Sequence, residues 1–204
     1  MTNDQVIDIE DLTITSPAVF EVTIRGSDAI LFNKMPDLSK STSKGEKQTK
    51  EDKLEIEKRT WKEKAYVNED GGLYIPGENI HECMIQGSAY WGQKIPGEGN
   101  KRYTDVIKSG AIVEDVALDQ TIEDLIPMGR AVNGTPNARK PAKVYKIRPM
   151  LRPWSGKFRI HVFDGRIDQA ILRTVISYAG IYRGLCDWRP IYGRFELVKI
   201  EKVV

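Results

Sequence analysis

The chain has 204 residues, 40% of them apolar, and a formal net charge of +2, enough for one domain with its own core. No run approaches eighteen consecutive apolar residues and the first ten residues lack a basic and apolar leader pattern, so neither a membrane span nor a secretory signal is expected and the cytoplasm is the default location. Cys83 and Cys186 are the only cysteines, without a CxxC spacing or a histidine cluster, which argues against a disulfide framework or a zinc site, and no cofactor or metal is expected.

Residues 1–17 form an acidic leader, with Asp4, Asp8, Glu10 and Asp11 and no base. Residues 18–204 are expected to make a single domain. Val19 to Arg25 alternates apolar and polar side chains, the period of a half-buried strand, and Gly26 closes it. Residues 39–64 are dominated by Lys, Glu, Ser and Thr. They read as a mobile charged insertion, helical from Glu51 onward.

Tyr66-Val67 and Leu73-Tyr74-Ile75 flank a glycine turn and predict a hairpin. A helix follows Pro76-Gly77, with Ile80, Cys83, Met84, Gly87 and Trp91 in one stripe, where Gly87 implies close approach to a neighbour. Short strands are expected at 111–113 and 116–118. Two further strands, around Tyr145 and Ile147 and from Phe158 to Val162, carry Lys146, Arg148, Arg159 and His161 on alternate positions, so a basic outer face is expected. Asp168 caps a helix striped by Ile171, Leu172, Val175, Ile176 and Ala179, with Ile167 placed to staple against Leu172. Gly180 or Gly184 ends it, and a last strand runs from Phe195. In order, these elements fit an α+β fold, a ferredoxin-like βαββαβ core with inserted loops.

Two segments point to nucleic acid. Residues 130–159 contain Arg130, Arg139, Lys140, Lys143, Lys146, Arg148, Arg152, Lys157 and Arg159 and no acid, which reads as the footprint of a polyanion. Residues 180–195 combine three glycines, three arginines, two tyrosines and a tryptophan. Glycine lets backbone approach a phosphate, arginine neutralises it, and flat rings stack on unpaired bases.

The helix entry Ile75-Pro76-Gly77-Glu78-Asn79-Ile80, and the terminal helix, Gly-rich loop and strand, resemble segments of the repeat-associated RAMP superfamily of CRISPR systems, in layout its backbone subunits. The likeness covers mainly residues 66–92 and 157–203, with Glu78 and Asn79 replacing small hydroxyl residues and His81 and Glu82 replacing a basic residue and a glycine. It implies an RRM-like core and a loop facing nucleic acid through Arg183, Gly184, Trp188, Arg189 and Arg194, with the basic run lining the same groove.

The resulting expectation is a non-catalytic, sequence-nonspecific binder of single-stranded RNA or DNA that assembles along the strand. Its interface is expected to use Arg139, Lys140, Lys143, Lys146, Arg148, Arg152, Arg159, Arg183, Gly184, Trp188, Arg189, Tyr192 and Arg194. Acidic 1–17 and 114–124 facing a basic run also suit head-to-tail self-association. The alternatives are an endoribonuclease using His161 and a structural assembly protein of a phage or mobile element. His161 reads more simply as a half-exposed strand residue, and the acids from Glu114 to Asp124 as solvated rather than metal-ligating.

Overall fold

The computed structural model describes residues 16–35, 50–133 and 143–203. The leader up to residue 15, residues 39–49 of the insertion, and Arg139 and Lys140 lie outside the described residues.

In chain order the elements are β1 (Ala18–Gly26), β2 (Ile30–Leu31), α1 (Lys50–Thr60), β3 (Gly72–Ile75), α2 (Gly77–Trp91), α3 (Tyr103–Gly110) and β4 (Ala111–Val113). They continue with β5 (Val116–Thr121), β6 (Ile126–Asn133), β7 (Lys143–Leu151), β8 (Ser155–Val162), α4 (Gln169–Tyr178) and β9 (Phe195–Lys202). The main sheet has the order β3-β5-β8-β1-β9, with β4 also on β8. β4 and β5 pair with successive parts of β8, as one strand interrupted at Glu114-Asp115. β1, α2, β4/β5, β8, α4 and β9 therefore form the ferredoxin-like βαββαβ core, with every neighbouring strand antiparallel.

Alternation explains the inner face: Phe20, Val22 and Ile24 of β1 and Phe158, Ile160 and Val162 of β8 are buried in the same core as α2 and α4. Ile80, Cys83 and Met84 supply α2's stripe, Leu172, Val175 and Ile176 that of α4. The two helices touch where Gly87 meets Ala179. A Cβ on Gly87 would stand 2.6 Å from the Ala179 nitrogen, which is why glycine occupies that position. The Asp168 carboxylate accepts the Ile171 N–H at 2.8 Å, and Ile167 and Leu172 are both buried beside this cap. Past Tyr178 the helix widens into a π-helical turn, Ala179–Arg183, which ends at Gly184 with φ of +71°.

One grouping differs from the sequence expectation. β7 does not join β8 in the main sheet but enters a second sheet of order β2-β7-β6. Between them Trp154 plugs the core, its ring lying against Gly26 and its indole N–H donating to the Asp28 carbonyl at 2.8 Å. β7 instead pairs with β6 over the whole length of the latter. Lys146 and Arg148 thus sit on a different sheet from Arg159 and His161.

The second sheet is completed in an uncommon way. Beyond the short β2, the free edge of β7 at Ile147 is met by side chains of the charged segment rather than by a strand. The Ile147 N–H donates to Glu57 Oε2 at 2.9 Å, and Lys64 Nζ donates to the Ile147 carbonyl at 2.9 Å. Lys64 also pairs with Glu57 at 2.5 Å, and Lys146 joins at 2.8 Å. Burial pushes the Glu57 carboxyl up, yet the Ile147 amide with Lys146 and Lys64 outweighs it and holds the group below the usual carboxylate range.

Candidate nucleic-acid interface

The Gly-rich loop is closed on itself and tied to the body by backbone bonds. Leu185 N–H donates to the Gly193 carbonyl, Gly193 N–H to Ala29, and Asp187 N–H to Leu31, at 2.9, 2.8 and 3.0 Å. Glycine is required at 193, where φ is +78° and a Cβ would fall 2.0 Å from the Leu185 carbonyl. At Gly180 a Cβ would fall 2.1 Å from the Phe195 carbonyl. Cys186 and Trp188 adopt φ of 60° and 53°, a left-handed backbone seldom used by such residues. The Asp187–Leu31 bond between them holds the loop in this shape.

The consequence is the orientation of Trp188. Its ring is half-buried and turned toward the β6–β7 hairpin, with the Arg148 and Arg130 guanidinium carbons 5.0 and 5.2 Å from its centroid. Both are cation–π contacts. Arg148 also pairs with the Asp187 carboxylate, and Tyr192 lies 6.2 Å from Trp188 at 51°. The basic run and the aromatic loop therefore meet, as the sequence suggested, through Arg130 and Arg148.

The remaining sequence candidates scatter around this centre. Lys143 is exposed and bonds Asn133 at 2.8 Å, while Lys146 is committed to Glu57. Arg152 is exposed immediately after Leu151, the partner of Ile30, so it lies close to the Ala29–Gly193 tie. Arg189 and Arg183 are half-buried, and Arg183 Nε is buried without an acceptor. Arg194 is exposed, and its carbonyl anchors the amides of Ser27 and Asp28. Gly184 is buried at the end of the π-helical turn.

Arg159 and His161 stand apart on the outer face of the main sheet, which is not uniformly basic. Glu21 lies opposite Arg159 in the ladder, Arg25 pairs with Glu196 at 2.6 Å, and His161 Nε2 lies 2.6 Å from Glu114. Acids from β1, β9 and the β4–β5 junction offset the bases of β8, an effect invisible when β8 is read alone.

Sequence reading missed four neighbours of the centre. Asn33, Tyr66, Asn79 and Asp187, with Cys186, line a polar cavity of about 120 Å³ beside the first turn of α2. Burial pushes the Tyr66 phenol up, and the Cys186 and Cys83 thiols up to about 12. The one available signal was Asp187 itself, a lone acid in a basic loop. At the start of α2 the Gly77 N–H already donates to Asp115 at 2.8 Å.

The acids after Glu114 do not converge. Asp119 accepts from Ser155, Glu123 pairs with Lys62 and Asp124 caps Thr121. Among the described residues no three His, Cys, Asp or Glu side chains are grouped to hold a metal, and no helix is long and apolar enough to cross a membrane.

No family model matches the sequence, nor does any curated protein. Among solved structures, the chain is similar to one in the cryo-EM structure of the Type III-B Cmr-beta bound to cognate target RNA, with a TM-score of 0.58 and 15% identity. That match covers 92% of this chain and 61% of the other. A second similarity, to Cmr6 from Pyrococcus furiosus, has a TM-score of 0.46 at 10% identity and covers 91% of this chain and 100% of that one. The fold is thus α+β and ferredoxin-like, similar to that of a chain in the Type III-B Cmr-beta structure.

Proposed function

We propose that the chain is a non-catalytic, cytoplasmic protein that binds single-stranded RNA without sequence preference and assembles head-to-tail along it. The observation that carries this reading is the Arg130–Trp188–Arg148 cluster, which joins the acid-free run to the Gly-rich loop and leaves Arg130 exposed at its rim. The exposed Arg130 guanidinium presents its N–H groups to phosphate oxygens, a recognition that reads backbone and not base, while Arg148, ion-paired with Asp187, holds the indole from its other contact. Arg152, Arg189 and Arg194 extend the cationic surface on both sides of the loop. RNA is favoured over single-stranded DNA because the similar Cmr-beta structure holds target RNA. His161 acts here as a structural partner of Glu114, not as an acid–base group.

The test is a salt titration of RNA affinity for the wild type and for Arg130→Ala/Arg152→Ala/Arg189→Ala. Each lost phosphate contact removes about 0.7 from the slope of log K against log salt, so the triple variant should be shallower by roughly 2. An unchanged slope overturns the reading, and RNA cleavage abolished by His161→Ala would replace it with the ribonuclease reading.

A further inference from the structure

Away from Trp188, the far end of α2 carries a second aromatic group. The Gly87–Ala179 contact brings the residues one turn beyond it together, Tyr90 on α2 and Tyr182 on the π-helical turn. Their rings stack at 5.4 Å and 24°, and Tyr178 lies tilted beside Tyr182 at 5.5 Å and 35°. Tyr90 is 58% exposed and Tyr182 50%, whereas a structural stack would be covered. Tyr90 is the open end.

Three features say what would cover it. An isolated patch of Tyr90, Tyr182 and Ile181, each about half exposed, offers on the order of 300 Å² of side chain, against about 800 Å² per partner for a stable protein interface. One flat ring needs only the first of these. Arg183 follows Tyr182 directly and has a buried Nε lacking an acceptor. The π-helical turn also runs straight into the loop that bears Arg189 and Trp188. Asn79 and Asp187 line one cavity, and Tyr90 lies eleven residues beyond Asn79 on α2, about 16 Å at 1.5 Å per residue. Of the two carboxylates on the same row of α2, Glu78 lies in the first turn and Glu82, two turns back from Tyr90, accepts from Gln86 at 2.8 Å.

Resting on the reading of the chain as a single-strand RNA binder, we propose that Tyr90 and Tyr182 form a base-stacking platform for an unpaired nucleobase several nucleotides from the Trp188 site. The strand then follows α2 and the Gly-rich loop instead of crossing the outer face of the main sheet, whose charges are mutually offset.

The experiment compares Tyr90→Ala/Tyr182→Ala and Tyr90→Phe/Tyr182→Phe with the wild-type chain, by anisotropy of labelled oligouridine of about 4 and about 16 nucleotides, the range of single-strand footprints. The alanine variant should bind the longer RNA roughly 10- to 100-fold more weakly, one stacked base being lost. Its salt slope should be unchanged, since stacking releases no counterion. The phenylalanine variant, which keeps both rings, should stay within about twofold of wild type. Wild-type binding with undiminished affinity in the alanine variant overturns the platform but leaves the arginine site standing, as does a change confined to self-association. Failure of the wild type to bind any RNA overturns both.

Discussion

Removal of the Glu57 carboxylate tests how the second sheet is held. Glu57 and Lys64 side chains are only 11% and 13% exposed, which puts this pair in the buried regime rather than that of surface pairs worth under about 1 kcal/mol. Glu57→Ala leaves Lys64 largely buried without its carboxylate and deprives the Ile147 N–H of its acceptor, together costing about 3–5 kcal/mol. For a chain of this size that lowers Tm by roughly 6–20 °C. Glu57→Ala/Lys64→Ala should lose less than the sum of the single losses, because no buried ammonium remains. Melts followed by circular dichroism give all four corners of the cycle. Because the folded Glu57 is more acidic than an unfolded glutamate, its contribution is present above the carboxylate range and disappears as pH falls through it. The wild-type and Glu57→Gln curves should therefore converge only as pH falls below the usual carboxylate range. Additive single losses, or an unchanged Tm for Glu57→Ala, would refute the argument that this carboxylate completes the sheet.

Two other outcomes follow from the core. Gly87→Ala drives a methyl onto the Ala179 backbone, which cannot yield as a flexible side chain can, so Tm should drop by several degrees for a cost of about 1–3 kcal/mol. A fully retained Tm would mean that the helices separate freely. With both thiols pushed from 9.0 to about 12, Cys83 and Cys186 should show roughly a thousandfold less thiolate than ordinary cysteines at pH 8. Mass spectrometry after brief iodoacetamide treatment should find them unmodified in the native chain and labelled in denaturant. Rapid native labelling of Cys83, the fully buried one of the two, would contradict its burial.

The elements that sequence made legible are those where local chemistry and packing agree. The Asp168 cap and the glycine at 87 each signal one geometry and are found in it, and Ile167 and Leu172 are both buried beside the cap. β6 was illegible because Pro127 and Gly129 interrupt it and its side chains are mostly exposed on both faces, so it has no alternation to detect. With β6 unseen, β7 was left to pair with β8. The basic outer face failed for a related reason: Lys157, Arg159 and His161 alternate as expected, but their neighbours in space come from strands far away in sequence. Glu57 sits in a run of charges that reads as solvated, and nothing local marks the one carboxylate that turns inward. Trp188 stands out by its residue type, but nothing local marks its partners, since the ring faces Arg130 and Arg148 of a hairpin far earlier in the chain.

The edge of β7 has one more implication. An unpaired strand edge is a template on which another chain can add, and proteins blunt it with charge or cover it. Here α1 and the turn after it do both, Glu57 presenting an acceptor to the Ile147 N–H and Lys64 a donor to its carbonyl, so the sheet is terminated chemically where β2 runs out. The charged segment that looks dispensable in the sequence is thus a guard against intermolecular strand pairing, and deleting it would expose an adhesive edge before it unfolded the core.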